Sequence, residues 1–181
     1  VLEAGGRIKV YDVSVTSLRG DRVLLRPAVA ADIPALEAIR REASVERWWG
    51  LLSEGELAKD IAEGDGRILV IELDGVVIGS IEWYRDLEPA FRHAGMDIYL
   101  SSATQGQGLG TEAVRLVAHY LVHDQEFHRL VIDPAAANER AIRSYAKVGF
   151  KPAGVLRRSW RAPDGTWEDQ LLMDLLADEL T

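Results

Sequence analysis

The chain has 181 residues, carries 21 Lys and Arg against 29 Asp and Glu for a net charge of −8, and is 48% hydrophobic. Those proportions suit a single folded domain that buries roughly 70% of its extended surface, and they argue against wholesale disorder or a general nucleic-acid binder. With no cysteine there is no disulfide, thiolate metal site or catalytic thiol, which permits a cytoplasmic location, and no apolar run is long enough to span a membrane as a helix.

Residues 1–17 are polar and weakly patterned, and predict an extension ahead of one domain over residues 18–181. Glu3, Arg7, Lys9 and Asp12 interrupt its apolar residues, unlike a secretory leader. Residues 22–26 read as a short strand stopped by Pro27. Asp32 can cap a helix with Ile33, Leu36, Ile39 and Ala43 on its apolar face. Ser53 and Glu56 have capping-box spacing ahead of Leu57 and Ile61, and Gly64 ends that helix. Residues 67–73 and 76–84 are β-rich and joined by Asp74-Gly75, the strongest short hairpin signal. Residues 95–100 predict a strand. Residues 109–124 predict a helix with Ala113, Leu116, Val117, Tyr120 and Leu121 on one face. A strand over residues 129–132 and a helix over 138–147, closed by Gly149, follow. Residues 155–161 and 167–172 form a last hairpin around Pro163-Asp164-Gly165. This order predicts a mixed α/β domain, not a regular β-α alternation.

Gln105-Gly106-Gln107-Gly108-Leu109-Gly110-Thr111 follows a strand and opens a helix. Glycines there let backbone N–H groups approach an anion, and a helix N-terminus favours negative charge. A P-loop needs Gly-Lys-Ser/Thr, and no lysine follows these glycines. A dinucleotide fingerprint needs a glycine three residues after Gly108, where Thr111 stands. Gln105, Gly108 and Gly110 instead resemble the pyrophosphate loop of the GNAT acetyltransferase superfamily, Gln-x-x-Gly-x-Gly. Asn138, Tyr145 and Gly149-Phe150 recur at that superfamily's downstream spacing. Asn138 is a good N-cap, and Tyr145 lies two turns further along the same face.

The resemblance runs from about residue 24 to residue 175 and implies a GNAT fold: a central mixed, twisted sheet flanked by helices. In it, residues 95–100 and 129–132 are neighbouring parallel strands that splay at their C-terminal ends. It implies acetyl-CoA as co-substrate, with pyrophosphate on the loop from Gln105 to Thr111. Ile98, Tyr99 and Leu100 would supply backbone donors to pantetheine, and Asn138 and Tyr145 would complete the site.

Three segments are similar to the aminoglycoside 6'-N-acetyltransferases within that superfamily: Val45-Glu-Arg-Trp48-Trp49-Gly50, Gly95-Met-Asp97-Ile-Tyr-Leu100, and Ile132-Asp133-Pro134 followed by Asn138. Acyl transfer to an amine needs a neutral nucleophile and a way to protonate the departing thiolate. Asp97 stands among apolar neighbours, where an unpaired charge is expensive. It reads as a carboxylate that holds the ammonium and takes its proton; a structural carboxylate paired with arginine or a backbone donor is the competing reading. The resemblance makes Tyr145 the acid for sulfur, against a plain core aromatic. A polycationic amino sugar calls for acids and aromatics, which singles out Asp133, Glu82, Trp48 and Trp49. A turn cap competes for Asp133, and core packing for one of the tryptophans. Glu82 stands where the resembling enzymes carry glutamine. Asp164 reads as a turn residue.

His93, His119, His123 and His128 have no zincin-type order, so no metal is expected. The expected partner is a small cationic amine, with no nucleic acid or membrane, acting on a monomer or weak homodimer. Two alternatives remain. One is a GNAT enzyme acylating a peptide or protein N-terminus or a siderophore intermediate, the latter disfavoured by aspartate at position 97. The other is an acyl-CoA-binding module without turnover.

Overall fold

The computed structural model describes residues 17–63 and 66–180. Residues 1–16 of the expected extension, and Gly64 as a helix end, lie outside the described residues. In chain order the elements are β1 (Leu18–Arg19), β2 (Val23–Pro27), α1 (Ile33–Arg40), α2 (Ala43–Trp49), α3 (Glu56–Glu63), β3 (Ile68–Leu73), β4 (Val76–Asp86), β5 (His93–Leu100), α4 (Leu109–His119), β6 (Arg129–Ile132), α5 (Glu139–Ala146), β7 (Lys151–Arg161) and β8 (Trp167–Leu176).

The strands form one mixed sheet in the order β1-β2-β3-β4-β5-β6-β8-β7. Every neighbouring pair is antiparallel except β5 and β6, which are parallel and in register only at Ala94↔Leu130 and Gly95↔Val131. Beyond Gly95, β5 continues to Leu100 without a β6 partner. The expected splayed pair is therefore present. Successive side chains of β5 point to opposite faces. Ala94 and Met96 join a core completed by Ala113, Val114 and Val117 of α4 and by Tyr145 of α5. Tyr99 belongs to the other face, where Leu36, Ile39, Val45 and Leu57 of α1, α2 and α3 cover it and Val70. No helix among the described residues is long and apolar enough to cross a membrane.

Asp74 and Gly75 both take positive φ, 51° and 78°, as a two-residue hairpin turn of this type requires. Three local readings need correction. Pro27 joins β2 instead of stopping it, pairing with Leu69. The Ala28 N–H bonds Ile68 of β3, so the Pro27 nitrogen faces the opposite side, where among the described residues β1 pairs only with Leu24 and Leu25. The missing donor is tolerated on that side of the strand, where it breaks no bond to β3. Secondly, Ala43 starts a separate helix rather than extending α1. Glu42 is extended between them, its carboxylate accepting from Ser101 Oγ at 2.8 Å and the Ser102 N–H at 2.6 Å. Thirdly, α4 ends at His119 and a wider turn over Tyr120–Asp124 completes the expected helix. Asp32 holds the N-cap position of α1, but its side chain accepts both bonds, each 2.8 Å, from Arg26. That pair lowers the Asp32 pKa and ties α1 to β2.

Candidate active site

In a strand, the N–H and C=O of one residue point to the same side. The Ser101 N–H bonds Ile78 O at 2.8 Å, so the odd-numbered residues of β5 turn towards β4. The carbonyls of Ile98 and Leu100 face the opening left by β6, and accept from Trp49 Nε1 at 3.3 Å and Gln105 Nε2 at 2.7 Å. The N–H groups of Ile98 and Leu100 consequently point into the gap without a ladder partner, whereas that of Tyr99 faces β4. Two of the three expected backbone donors are so directed.

A cavity of about 320 Å³ runs from this gap along the start of α4. Gly106 and Gly108 take φ of 77° and 85°, which favours glycine. Gly110 lets the helix start approach β5, since a Cβ there would lie 3.2 Å from Leu100 Cδ1. The first N–H groups of α4 lack intrahelical partners and face the position an anion would take. Gln105, Gly106, Gly108, Gly110 and Thr111 line the cavity. Gln107 turns its amide to Ala103 O at 2.9 Å, and Leu109 is fully buried in the core. Asn138 caps α5, its Oδ1 accepting from the Ala141 N–H at 3.2 Å, and Thr111 and Ser144 hydroxyls meet at 2.7 Å. Arg140, Arg143 and Lys147 add positive charge along the same cavity, in a chain of net charge −8.

A second cavity of about 270 Å³ shares Trp48, Trp49, Ile98, Asn138 and Tyr145 with the first, and adds Asp97, Asp133, Trp160 and Gln170. No arginine or backbone donor among the described residues pairs with the Asp97 carboxylate. Burial first, then the charges of Glu82 and Asp133, push its pKa up to about 7. Asp133 is held by Gln170 Nε2, which donates to both its carbonyl and its Oδ2 at 2.8 Å; burial raises its pKa nonetheless. Tyr145 is buried, which raises its pKa well above 10 and keeps the hydroxyl protonated at neutral pH. Tyr84 packs across Gly95 on the same face as Asp97 and is likewise raised, to about 12.

Trp49 meets Tyr99 edge-on at 4.9 Å under the guanidinium of Arg40, 5.0 Å from its ring. Trp48 is covered by Arg47 at 4.6 Å. Glu82 is the direct cross-strand partner of Asp97 but lines neither cavity. The sequence alone does not single out Arg40, Trp160, Gln170, or the cations Arg140 and Arg143 of α5 and Lys147 at its C-terminal cap. Only the cations left a signal, a spacing of three and four residues that sets them along one helix face.

An acetyltransferase (GNAT) domain profile matches residues 22–151. Aminoglycoside N(6')-acetyltransferase type 1 of Klebsiella pneumoniae is 28% identical over 180 residues, covering 88% of this chain and 87% of its own. Spermidine N(1)-acetyltransferase of Escherichia coli strain K12 is 30% identical over 141 residues, covering 74% and 75% respectively. The solved structure of AAC(6')-Ib in complex with paromomycin and acetyl-CoA is similar with a TM-score of 0.72 and 26% identity, covering 88% of this chain and 96% of that one.

Proposed function

The chain belongs to the GNAT acetyltransferase family, and from that premise we propose that it acetylates the 6'-amine of an aminoglycoside, with Asp97 as base and Tyr145 as acid. It is an N-acetyltransferase with acetyl-CoA as co-substrate. The residues of the first cavity suit that molecule. Glycine-rich backbone at a helix start, beside Arg140, Arg143 and Lys147, matches its phosphates, and the inward N–H groups of Ile98 and Leu100 match its amide-bearing arm. When bound, it supplies the activated acetyl group.

The observation that carries this reading is the Asp97 carboxylate, unpaired among the described residues, in a cleft shared with Asp133, Trp48, Trp49 and Tyr145 and continuous with the glycine-loop cavity. Asp97 and Asp133 hold the ammonium, and Asp97 takes one of its protons directly or through a water. A base of pKa near 7 is matched to that task at neutral pH. The Ile98 or Leu100 N–H steadies negative charge on the carbonyl oxygen as the new N–C bond forms and the C–S bond breaks. Tyr145 hands its hydroxyl proton to the departing sulfur. Trp48 and Trp49 offer faces for the sugar framework.

A polyamine acceptor is the second reading, favoured by the 30% identical spermidine N(1)-acetyltransferase and by carboxylates that suit any polycation. Thiol release from acetyl-CoA against kanamycin, spermidine and an N-terminal peptide separates these readings. The proposal expects kanamycin to give the highest kcat/KM. Preference for the peptide sinks it, and preference for spermidine replaces it with the second reading.

A further inference from the structure

The β7–β8 ladder contains an irregularity beside the acceptor cleft. Leu156 pairs with Gln170 and Trp160 with Glu168, so four steps along β7 answer two along β8. The two extra residues bulge outward. Arg158 within them takes a φ of 50°, a left-handed conformation that costs a bulky side chain free energy. Side chains hold it there: the Arg158 N–H donates to Asp169 Oδ1 at 2.7 Å, and Ser159 Oγ donates to Leu156 O at 3.1 Å. In an unbroken ladder Arg158 would oppose Glu168, on the face it shares with Gln170. The bulge leaves Arg158 exposed and seats Trp160 in that position instead. Bulges of this kind re-aim side chains next to active sites.

Trp160 lines the cleft with Asp97, Asp133 and Gln170. Its Nε1 is buried with no hydrogen-bond partner among the described residues, unlike Trp49, whose Nε1 is anchored on Ile98 O. Trp160 thus brings an aromatic ring to the cleft beside two carboxylates. A guanidinium at this position would neutralise those carboxylates and repel a cationic acceptor.

Resting on the reading of this cleft as the acceptor site, we propose that Trp160 is a specificity-determining residue whose indole face packs on the saturated carbon ring bearing the acceptor's ammonium. The bulge at residues 157–159 keeps a cation out of that place. Such a face suits an amino sugar, with a rigid C–H surface next to the amine, better than a flexible linear polyamine.

The test is steady-state kinetics with kanamycin and acetyl-CoA on the full chain and on Trp160→Phe, Trp160→Leu and Trp160→Arg variants, each checked for folding by circular dichroism. Trp160→Phe keeps an aromatic face and should stay within about threefold of the parent. Trp160→Leu keeps apolar bulk and should raise the kanamycin KM roughly tenfold, as loss of a partly desolvated aromatic–cation contact does. Trp160→Arg should raise it further, while the acetyl-CoA KM stays unchanged in all three. A parent that turns over no kanamycin overturns the amino-sugar reading and this inference with it. A parent that does so, with the kanamycin KM unmoved in the Leu and Arg variants or with both KM values moving together, overturns this inference alone.

Discussion

Replacing Asp97 with asparagine should make the protein more stable while disabling it. Asp97 has no partner for its charge among the described residues, and burial beside Glu82 and Asp133 raises its pKa from 3.8 to about 7. The proton-bound form is favoured in the folded state. Stability is therefore fully present below the unfolded pKa and is lost as pH rises through the folded one. At 1.36 kcal/mol per pKa unit the cost at pH 8 reaches about 4 kcal/mol. The charges of Glu82 and Asp133 couple to the titration of Asp97, which leaves roughly 1–3 kcal/mol for Asp97 itself. Asparagine keeps the shape and removes that cost. Thermal unfolding of parent and Asp97→Asn should coincide near pH 4, diverge progressively to pH 7, and differ by about 3 to 9 °C at pH 8 in favour of the variant. Equal midpoints at every pH would refute the reasoning, and a variant less stable at pH 8 would mean that the carboxylate has a partner after all.

Tyr145→Phe should reduce kcat roughly 10²-fold with little change in acetyl-CoA affinity, and raising the pH should not restore it, because the missing group is the acid and not the base; single-turnover rates from pH 6 to 9 check this. Gly108→Val should weaken CoA binding measured by calorimetry. A Cβ at Gly108 meets nothing within 4 Å, so the damage comes from forcing a β-branched residue into φ 85° at the start of α4, not from crowding against the protein. Glu82→Gln removes a like charge directly across the strand pair from Asp97, so the acidic limb of kcat/KM should move to lower pH. A limb that stays in place would separate Glu82 from the base.

The glycine loop and the Asn138–Tyr145 helix were legible because their chemistry is local: left-handed backbone, an N-cap, and a two-turn spacing. Asp97 was legible as a lone charge in an apolar strand, and the structure supplies the setting, a carboxyl without a partner among the described residues at the point where β5 leaves β6. The sequence groups Glu82 with the substrate contacts; its register opposite Asp97 sets the two carboxylates side by side on one face, while Glu82 itself lines neither cavity. What stayed hidden depends on long-range partners. The break between α1 and α2 is stabilised by Ser101 and Ser102, some sixty residues away from Glu42. Gln170 orients Asp133 only through the β8 register, and Trp160 reaches the cleft only through a bulge whose two extra residues no hydrophobic pattern marks. Arg40 lies buried over the rings of Trp49 and Tyr99, where an arginine at the end of a helix would read as solvent-exposed.

The most direct test of the account is the pH dependence of kcat/KM for kanamycin at saturating acetyl-CoA, compared between the parent and Asp97→Asn. The parent should rise about tenfold per pH unit on the acid side and level off near pH 7, where Asp97 loses its proton. The variant should lose roughly 10²–10⁴-fold in rate at neutral pH, show no plateau near 7, and recover in part as free amine accumulates at higher pH. A variant that keeps the parent's rate and its plateau near pH 7 would contradict the assignment of Asp97 as the base.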